Sequence, residues 1–505
     1  MSLRKKIMLN AGSNWAKSLA VAFVGILLIP IILKSIGEKG YGIWALLATG
    51  LAYPMILDRA FGLSISRFVA YHSEDTLERN RFISASLVVL ICLSLLILVA
   101  SILLSFFLTD MFTAITEEYA FEATVTCILI GITLSIRVLQ GSFAGALQGY
   151  QNYTSFNSVV IGGNILRLVL TFTFLKMYKS MIAVQSAFLL SMLITLITMI
   201  VIAYKLIPDL KINLKIVNKS ALKQLFYFTG HSLLRSGCTI VIYSTLTLLI
   251  GWKGTAEDVT VYDIAMKLPT FALSLIAGMQ NVFLPAVASL FAQKEITKIR
   301  AIAKKGTKVS LVLSFVGSIL VFFFADTLLR LWLQDNPPEG AVFLMRVLIL
   351  SLFPSSVFDI WLPILVAMGH LKWLSITSVL MTLISIVATV GLLVTESVSA
   401  PLAAAIGLGA AFWLRSGIWL PIYGIMKLGI RFLEYFASSL MKPIFAAACS
   451  IVLISYVAGL SFFIAVKALA ACLILLLVFS FLSMHNETLE VIRYVQIKIL
   501  KRGVS

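Results

Sequence analysis

Apolar positions run through this chain in long unbroken stretches, not in the alternating or one-faced patterns of soluble strands and helices. Leu87–Leu108, Ser310–Phe324 and Ile444–Leu460 are such stretches or their centres. A bilayer core about 30 Å thick needs roughly 20 residues of helix. Inside it, every backbone N–H and C=O must be paired within the protein, which favours helices. The pattern predicts helices over 14–36, 41–66, 82–108, 120–147, 155–177, 182–206, 225–251, 261–290, 306–333, 341–368, 371–394, 399–426, 440–459 and 461–483. That makes an all-α polytopic membrane protein with about fourteen transmembrane helices. Gly459–Leu460 leaves almost no loop between the last two, so either a turn takes residues from both or one longer helix kinks there.

The connections are short, the longest running from Leu206 to Lys223, so no extramembrane catalytic domain is expected. Composition sharpens this: 60% of residues are hydrophobic and 12% charged, against about 25% charged in soluble domains. Arg4, Lys5 and Lys6 precede the first apolar run, but no small-residue cleavage site follows it. The run is read as a retained helix, not a removed signal.

Of the 40 Lys and Arg residues, 31 fall in the connections and the ends of the chain, unequally between the two sides. One side takes the N-terminal cluster, Arg67, Arg79 and Arg81, the lysines of 205–223, the lysines and Arg300 of 294–308, Lys372, then Lys427, Arg431 and Lys442, and the basic C-terminal residues. The other takes only Lys34, Lys39, Lys176, Lys179, Lys253 and Arg330. By the positive-inside rule both termini are cytoplasmic. The net charge of +18 is then mainly a property of cytoplasmic loops, and no nucleic-acid partner is needed. Leu206–Gln224 and Leu489–Arg502 read as interfacial amphipathic helices on anionic lipid.

Spaced anchors recur about 220 positions apart. Gly12, Lys17 and Ser18 return as Gly230, Arg235 and Ser236, Tyr41 as Tyr262, Phe68-Val-Ala70 as Ala286-Val-Ala288, and Gly149 as Gly369. Six helices separate the copies, so both have the same orientation. The expected organisation is an N-lobe over 1–208, an amphipathic linker over 209–224, a C-lobe over 225–428, two extra helices over 429–484 and a basic tail over 485–505. Two six-helix lobes related by an axis along the membrane normal would carry a site between them.

Charge inside the spans is costly and marks aqueous cavities. Lys17, Arg59, Arg137, Arg167, Arg235, Lys267, Arg346, Arg415 and Lys467 lie there, against the acids Asp58, Asp263 and Asp359. The basic excess predicts an anion-attracting cavity, since guanidinium and ammonium groups suit phosphate oxygens. Lys17, Arg59, Arg137, Arg167, Arg235 and Lys267 are the candidate ligands. Asn14, Asn164, His231, Arg346 and Arg415 are second candidates, and Asp58, Asp263 and Asp359 are candidate carriers of a coupling Na+ or H+. Plainer readings stand beside these: Lys467 and Arg346 snorkel toward the interface, and Asp263–Lys267 is a structural i, i+4 ion pair. Gly141, Gly145 and Gly149 form GxxxGxxxG, which allows close helix contact. Cys92, Cys127, Cys238, Cys449 and Cys472 lie in apolar runs and read as buried structural thiols. There is no GxxxxGK[ST], HExxH or GxSxG, hence no ATP motor, metal site or catalytic residue to assign.

Leu28-Ile-Pro-Ile-Ile-Leu-Lys-Ser-Ile-Gly37, Tyr41-Gly-Ile-Trp44, Tyr53, Ile56-Leu-Asp58 and Ser66-Arg-Phe-Val-Ala70 resemble the opening of bacterial polysaccharide-export flippases. These are the Wzx-type O-antigen flippases of the multidrug/oligosaccharidyl-lipid/polysaccharide (MOP) exporter superfamily. Tyr262-Asp-Ile-Ala-Met-Lys267 resembles the matching segment of the second half. The resemblance implies a flippase of the bacterial inner membrane, acting in lipopolysaccharide and related polysaccharide synthesis. Its substrate would be an undecaprenyl-pyrophosphate-linked oligosaccharide, moved by alternating access through a cationic cavity. On this basis Arg59 and Lys267 take cavity roles and Arg235 follows from the repeat, although Arg59 stands where the family carries a small residue. The implied partners are the lipid-linked oligosaccharide, membrane lipids, and polysaccharide polymerase and chain-length proteins; the expected state is monomeric. Two other classes remain open: a cation-coupled multidrug antiporter of the same fold, and a membrane-embedded polymerase or glycosyltransferase. The first should carry more intramembrane acids than bases, and the second a large external loop.

Overall fold

A computed structural model of the protein describes residues 3–50, 53–72, 74–280, 283–334 and 336–459, together with 474, 475 and 478. The predicted span 461–483 and the tail 485–505 lie outside these residues, apart from those three positions. Among the described residues the regular structure is helical throughout, and eleven helices are long and apolar enough to cross a membrane. The chain parts into two compact units, Met1–Asp263 with Thr389–Ala404, and Ile264–Ala388 with Ala405–Ser505.

The first unit holds α1 (Leu3–Gly50), α2 (Met55–Tyr71), α3 (Thr76–Ser105), the short α4 (Leu108–Met111), α5 (Ala120–Gly149), α6 (Tyr153–Met177), α7 (Met181–Leu206), α8 (Lys219–Lys253) and the start of α9 (Ala256–Gln280). The first two predicted spans share α1. Its backbone breaks only at Gly37, where φ is +73°, a left-handed conformation that glycine alone adopts cheaply. The predicted helix over 41–66 is itself interrupted by a turn at Tyr53–Pro54. The seventh predicted span, 225–251, lies within α8. Contacts group α8 with α1, α2 and α3, although the sequence repeat assigns it to the second copy.

Small polar residues seal this unit. Along the antiparallel α3–α5 pair, Ser86 and Ser142 hydroxyls meet at 2.8 Å. Ser94 and Ser135 donate to each other's carbonyls at 2.9 and 2.8 Å. Farther on, Cys127 Sγ donates to Ser101 O at 3.6 Å and Thr124 to Ser105 O at 3.3 Å. Such hydroxyls bring helices close where lipid supplies no hydrophobic drive. The glycine motif acts likewise against α2: a Cβ on Gly145 would stand 2.8 Å from Ile65 Cβ, and one on Gly149 2.6 Å from Ser66 O. Cys127 is buried as expected, but Cys92 is exposed on the outer face of α3.

Leu206–Gln224 is not one amphipathic helix. The chain turns at Pro208–Asp209, makes a single 3-10 turn over Leu214–Ile216, and becomes helical at Lys219. The reason is side-chain competition for its backbone. Arg79 donates to Pro208 O, Asn80 to Asp209 O and Arg81 to Ile216 O, and Asn213 N donates to Ser84 Oγ.

The second unit comprises the remainder of α9, then α10 (Phe283–Ala292), α11 (Ile296–Phe323), α12 (Ala325–Leu333), α13 (Ala341–Phe358), α14 (Trp361–Ala367), α15 (Leu371–Val394, to Ala388), α16 (Ala400–Phe412, from Ala405), α17 (Leu420–Leu428), α18 (Phe432–Tyr435) and α19 (Lys442–Gly459). Its core centres on the fully buried Trp361. The indole N–H donates to Tyr435 OH at 3.1 Å, and that hydroxyl donates to Thr307 Oγ1 at 2.8 Å, so the polar edges of both rings are satisfied. Two irregularities face each other here: helix breaks at Asp359–Ile360 between α13 and α14, and a π-helical segment over Trp413–Trp419. π-turns of this kind are frequent at functional sites.

Candidate functional site

In the first unit, Arg167 projects from the middle of α6. Its guanidinium carbon lies 4.8 Å from the centroid of the Phe188 ring on α7. Phe188 in turn meets Trp44 of α1 edge-on, with centroids 5.6 Å apart. Arg167 Nε is buried with no hydrogen-bond partner, and Arg137 on α5 is near enough for the two like charges to interact. Two guanidiniums brought together in a bilayer repel and lose hydration. A cation–π contact recovers only about 0.5–2 kcal/mol. An anionic oxygen is the kind of group that would supply an acceptor for the unpartnered Arg167 Nε.

A polar thread runs from this pair along the unit. Trp44 Nε1 donates to Gln185 Oε1 at 3.4 Å, and Gln185 Nε2 donates to Thr133 Oγ1 at 2.9 Å, one helical turn before Arg137. Tyr41, one turn before Trp44, donates to Asp263 Oδ2 at 2.6 Å. Beyond it the unit is closed tightly. A Cβ on Gly42 would fall 1.8 Å from Ala256 O, Thr260 donates to Glu38 O at 2.7 Å, and Lys39 lies 3.7 Å from Glu257. Toward the opposite end, Asn157 Nδ2 reaches Ser13 Oγ at 2.8 Å and Asn14 Oδ1 at 2.9 Å, while its own Oδ1 is buried unpartnered. Lys17 Nζ sits 5.0 Å from the Phe156 ring centroid. Asn164 is turned back onto its own helix, donating to Val160 O at 2.8 Å.

The second unit carries a separate polar cluster. Asp359, at the α13–α14 break, accepts from Ser355 at 2.5 Å and from Ser416 at 2.8 Å. Arg415 feels the Asp359 charge and donates from Nη2 to Ser378 on α15 at 3.1 Å, leaving Nε buried without a partner. Arg346 is occupied otherwise: Nε donates to Phe322 O at 3.0 Å, and the guanidinium stacks on the same residue's ring, which caps the end of α11. Lys267 is half-buried on α9, and its carbonyl accepts from Thr270.

Of the sequence candidates, the structure thus brings Arg137 and Arg167 together, gathers Asn14 and Lys17 on the α1–α6 contact, and sets Asp359 beside Arg415. The side chains of Asp58, Arg59, His231 and Arg235 lie outside the described residues. The sequence reading missed Trp44, Thr133, Gln185 and Phe188. Gln185, a lone carboxamide in an apolar run, was the one available signal; Phe188 and Trp44 look like any lipid-facing aromatic until α1, α6 and α7 are assembled.

Three comparisons bear on what this geometry serves. Residues 7–291 match the polysaccharide biosynthesis protein family, and residues 232–391 match the MatE family. A Salmonella typhi protein named "Putative O-antigen transporter" is 22% identical over 365 residues, covering 68% of this chain and 80% of its own. Two solved structures share the fold: the lipid II flippase MurJ in an inward closed conformation (TM-score 0.70, 14% identity, 94% of this chain and 98% of that one), and an inward-facing multidrug resistance MATE family transporter of the MOP superfamily (TM-score 0.69, 16% identity, 81% and 94%).

Proposed function

The chain belongs to the polysaccharide biosynthesis protein family, and we propose that it is a MOP-superfamily flippase for an undecaprenyl-pyrophosphate-linked oligosaccharide of the O-antigen kind. It acts as a transporter in the bacterial inner membrane, with both termini cytoplasmic, and catalyses no covalent step. The observation that carries this reading is the buried, unpartnered Arg167 Nε beside Arg137. A pyrophosphate offers oxygens for both guanidiniums, and bidentate recognition of phosphate is what arginine does better than lysine. Lys17 and Asn14 line the approach along α1, and Arg59, Arg235 and Lys267 are proposed as further phosphate ligands from their places in the sequence alone. The substrate moves by alternating access, with the Tyr41–Gly42 segment against the start of α9 holding one end shut. Asp263 and Asp359 are the described candidates for coupling to a Na+ or H+ gradient.

The test is flipping of fluorescent undecaprenyl-pyrophosphate oligosaccharide in proteoliposomes. Losing one charge-assisted hydrogen bond, worth about 1.5–3 kcal/mol, should slow Arg167→Ala roughly ten- to hundredfold, with Arg167→Lys only partly restored. Undiminished flipping by Arg167→Ala would sink the mechanism. The MatE match over residues 232–391 favours a second reading, a cation-coupled multidrug antiporter. Gradient-driven export of a cationic dye by protein that fails to flip every lipid-linked glycan tried would establish that reading instead.

A further inference from the structure

The linker between α7 and α8 is at once cationic and immobilised. Lys205, Lys211, Lys215, Lys219 and Lys223 face a single acid, Asp209, before the next one at Glu257. Lys211, Lys215, Lys219 and Lys223 recur every fourth residue and all are exposed. Ile207, Leu210, Ala221 and Leu225 are buried beneath them, so the apolar positions hold the segment down and leave the lysines outward. Its backbone is fixed at both ends: Arg79, which is itself buried, Asn80, Arg81 and Ser84 grip residues 208–216. Asn213 Oδ1 accepts from Lys215 N and Asn218 Oδ1 from Ala221 N. A ligand that binds a fixed backbone pays little ordering entropy.

Neighbouring acids do not cancel the row. Glu78 is tied to Arg81, and Asp75 accepts from Leu77 N and Glu78 N as the cap of α3; Glu74 is the exposed acid that remains nearby in sequence. Aromatic side chains fix the depth. Tyr204 precedes the row at 48% exposure, and Phe226 and Tyr227 follow it at 54% and 72%. Lys219, Lys223 and Tyr227 are i, i+4, i+8 on one face of α8. Outward-facing Tyr at the end of a span sits at the headgroup level, which places the adjacent lysines among lipid phosphates rather than in the aqueous phase where a soluble partner would dock.

We propose that this linker is a binding ridge for the phosphates of anionic lipid headgroups, independent of the transported substrate. The experiment is native mass spectrometry of the full chain titrated with phosphatidylglycerol or with phosphatidylcholine of the same acyl chains. Wild type should bind phosphatidylglycerol preferentially. The combined Lys211→Gln, Lys215→Gln, Lys219→Gln and Lys223→Gln variant should lose about tenfold or more of that preference. Lys294→Gln, Lys298→Gln, Lys305→Gln and Lys372→Gln, which remove four charges elsewhere, should keep it. Asn80→Ala with Ser84→Ala leaves the charge unchanged and loosens the backbone by removing two of its four side-chain contacts, and should give an intermediate loss. Equal loss in the two quadruple variants, or none in the first, overturns the ridge. Tight binding of inorganic polyphosphate without any phosphatidylglycerol preference overturns it in favour of a soluble anion. Unfolding temperature in phosphatidylcholine nanodiscs checks each variant; if the first quadruple variant is misfolded, the 211/215 and 219/223 pairs are read separately by the same criteria.

Discussion

Gly42 offers the sharpest test of how the first unit is closed. A Cβ there would lie 1.8 Å from Ala256 O and 2.7 Å from both Ala256 C and Thr260 Oγ1. A carbon against a carbonyl oxygen needs about 3.3 Å, so Gly42→Ala must push the two segments apart by roughly 1.5 Å. Neither side can yield by a rotamer change, because both the new methyl and Ala256 O are rigidly attached to helical backbone. That retreat stretches Tyr41–Asp263 from 2.6 Å and Thr260–Glu38 from 2.7 Å beyond hydrogen-bond range. One of these is charge-assisted, so the combined loss is about 2–4 kcal/mol, a thirtyfold to thousandfold shift away from the closed arrangement. The readout is a cysteine at Val259, which is fully buried in this arrangement, introduced into a chain without its native cysteines. A membrane-impermeant maleimide added outside should label Val259→Cys slowly, and Gly42→Ala/Val259→Cys at least tenfold faster. Equal labelling rates would refute the idea that this close backbone approach holds the end shut.

Other expectations follow from the same packing. Gly424→Ala places a Cβ 2.2 Å from Trp361 Cε3 in the core of the second unit, and overpacking of that kind should cost about 1–3 kcal/mol, measured as a lowered unfolding temperature in detergent. Removing the reciprocal Ser94–Ser135 bonds in a double-mutant cycle should give a coupling of only about 0.6 kcal/mol, despite their burial. Asp75→Ala removes the acceptor for Leu77 N and Glu78 N and should cost about 1 kcal/mol. His370, in the loop after α14, is held below the ordinary imidazole range by desolvation and then by the Lys427 charge. The unfolded chain therefore takes up its proton first as pH falls through about 6.5, so the neutral form's stability is lost on acidification. His370→Gln should flatten the fall of unfolding temperature between pH 7 and 5, and an unchanged slope would exclude His370 as its source.

The charge pattern was legible because its physics is local. An arginine in an apolar run is costly whatever surrounds it, so Arg137, Arg167 and Arg415 could be singled out without coordinates. What they do was not legible. Arg167 acquires its meaning from Phe188 and Arg137, which lie on other helices, and Arg346 proved to be spent on the backbone of Phe322. Asp359 gains Ser416 through a π-helical segment that no periodicity in Trp413–Trp419 announces.

By itself, then, the sequence determined that the chain crosses a membrane many times as helices, and that the charge within its spans is predominantly basic. Those follow from the hydrophobic length of a bilayer and the cost of charge within it, which act residue by residue. Only the tertiary structure decided which helices share a unit, that α8 packs with α1 to α3, that the α7–α8 linker is pinned instead of helical, and which side chains stand around Arg167. These depend on which helix faces meet, and helices that are apolar all round carry little mark of their partners until a glycine, a hydroxyl or a carbonyl fits at the contact.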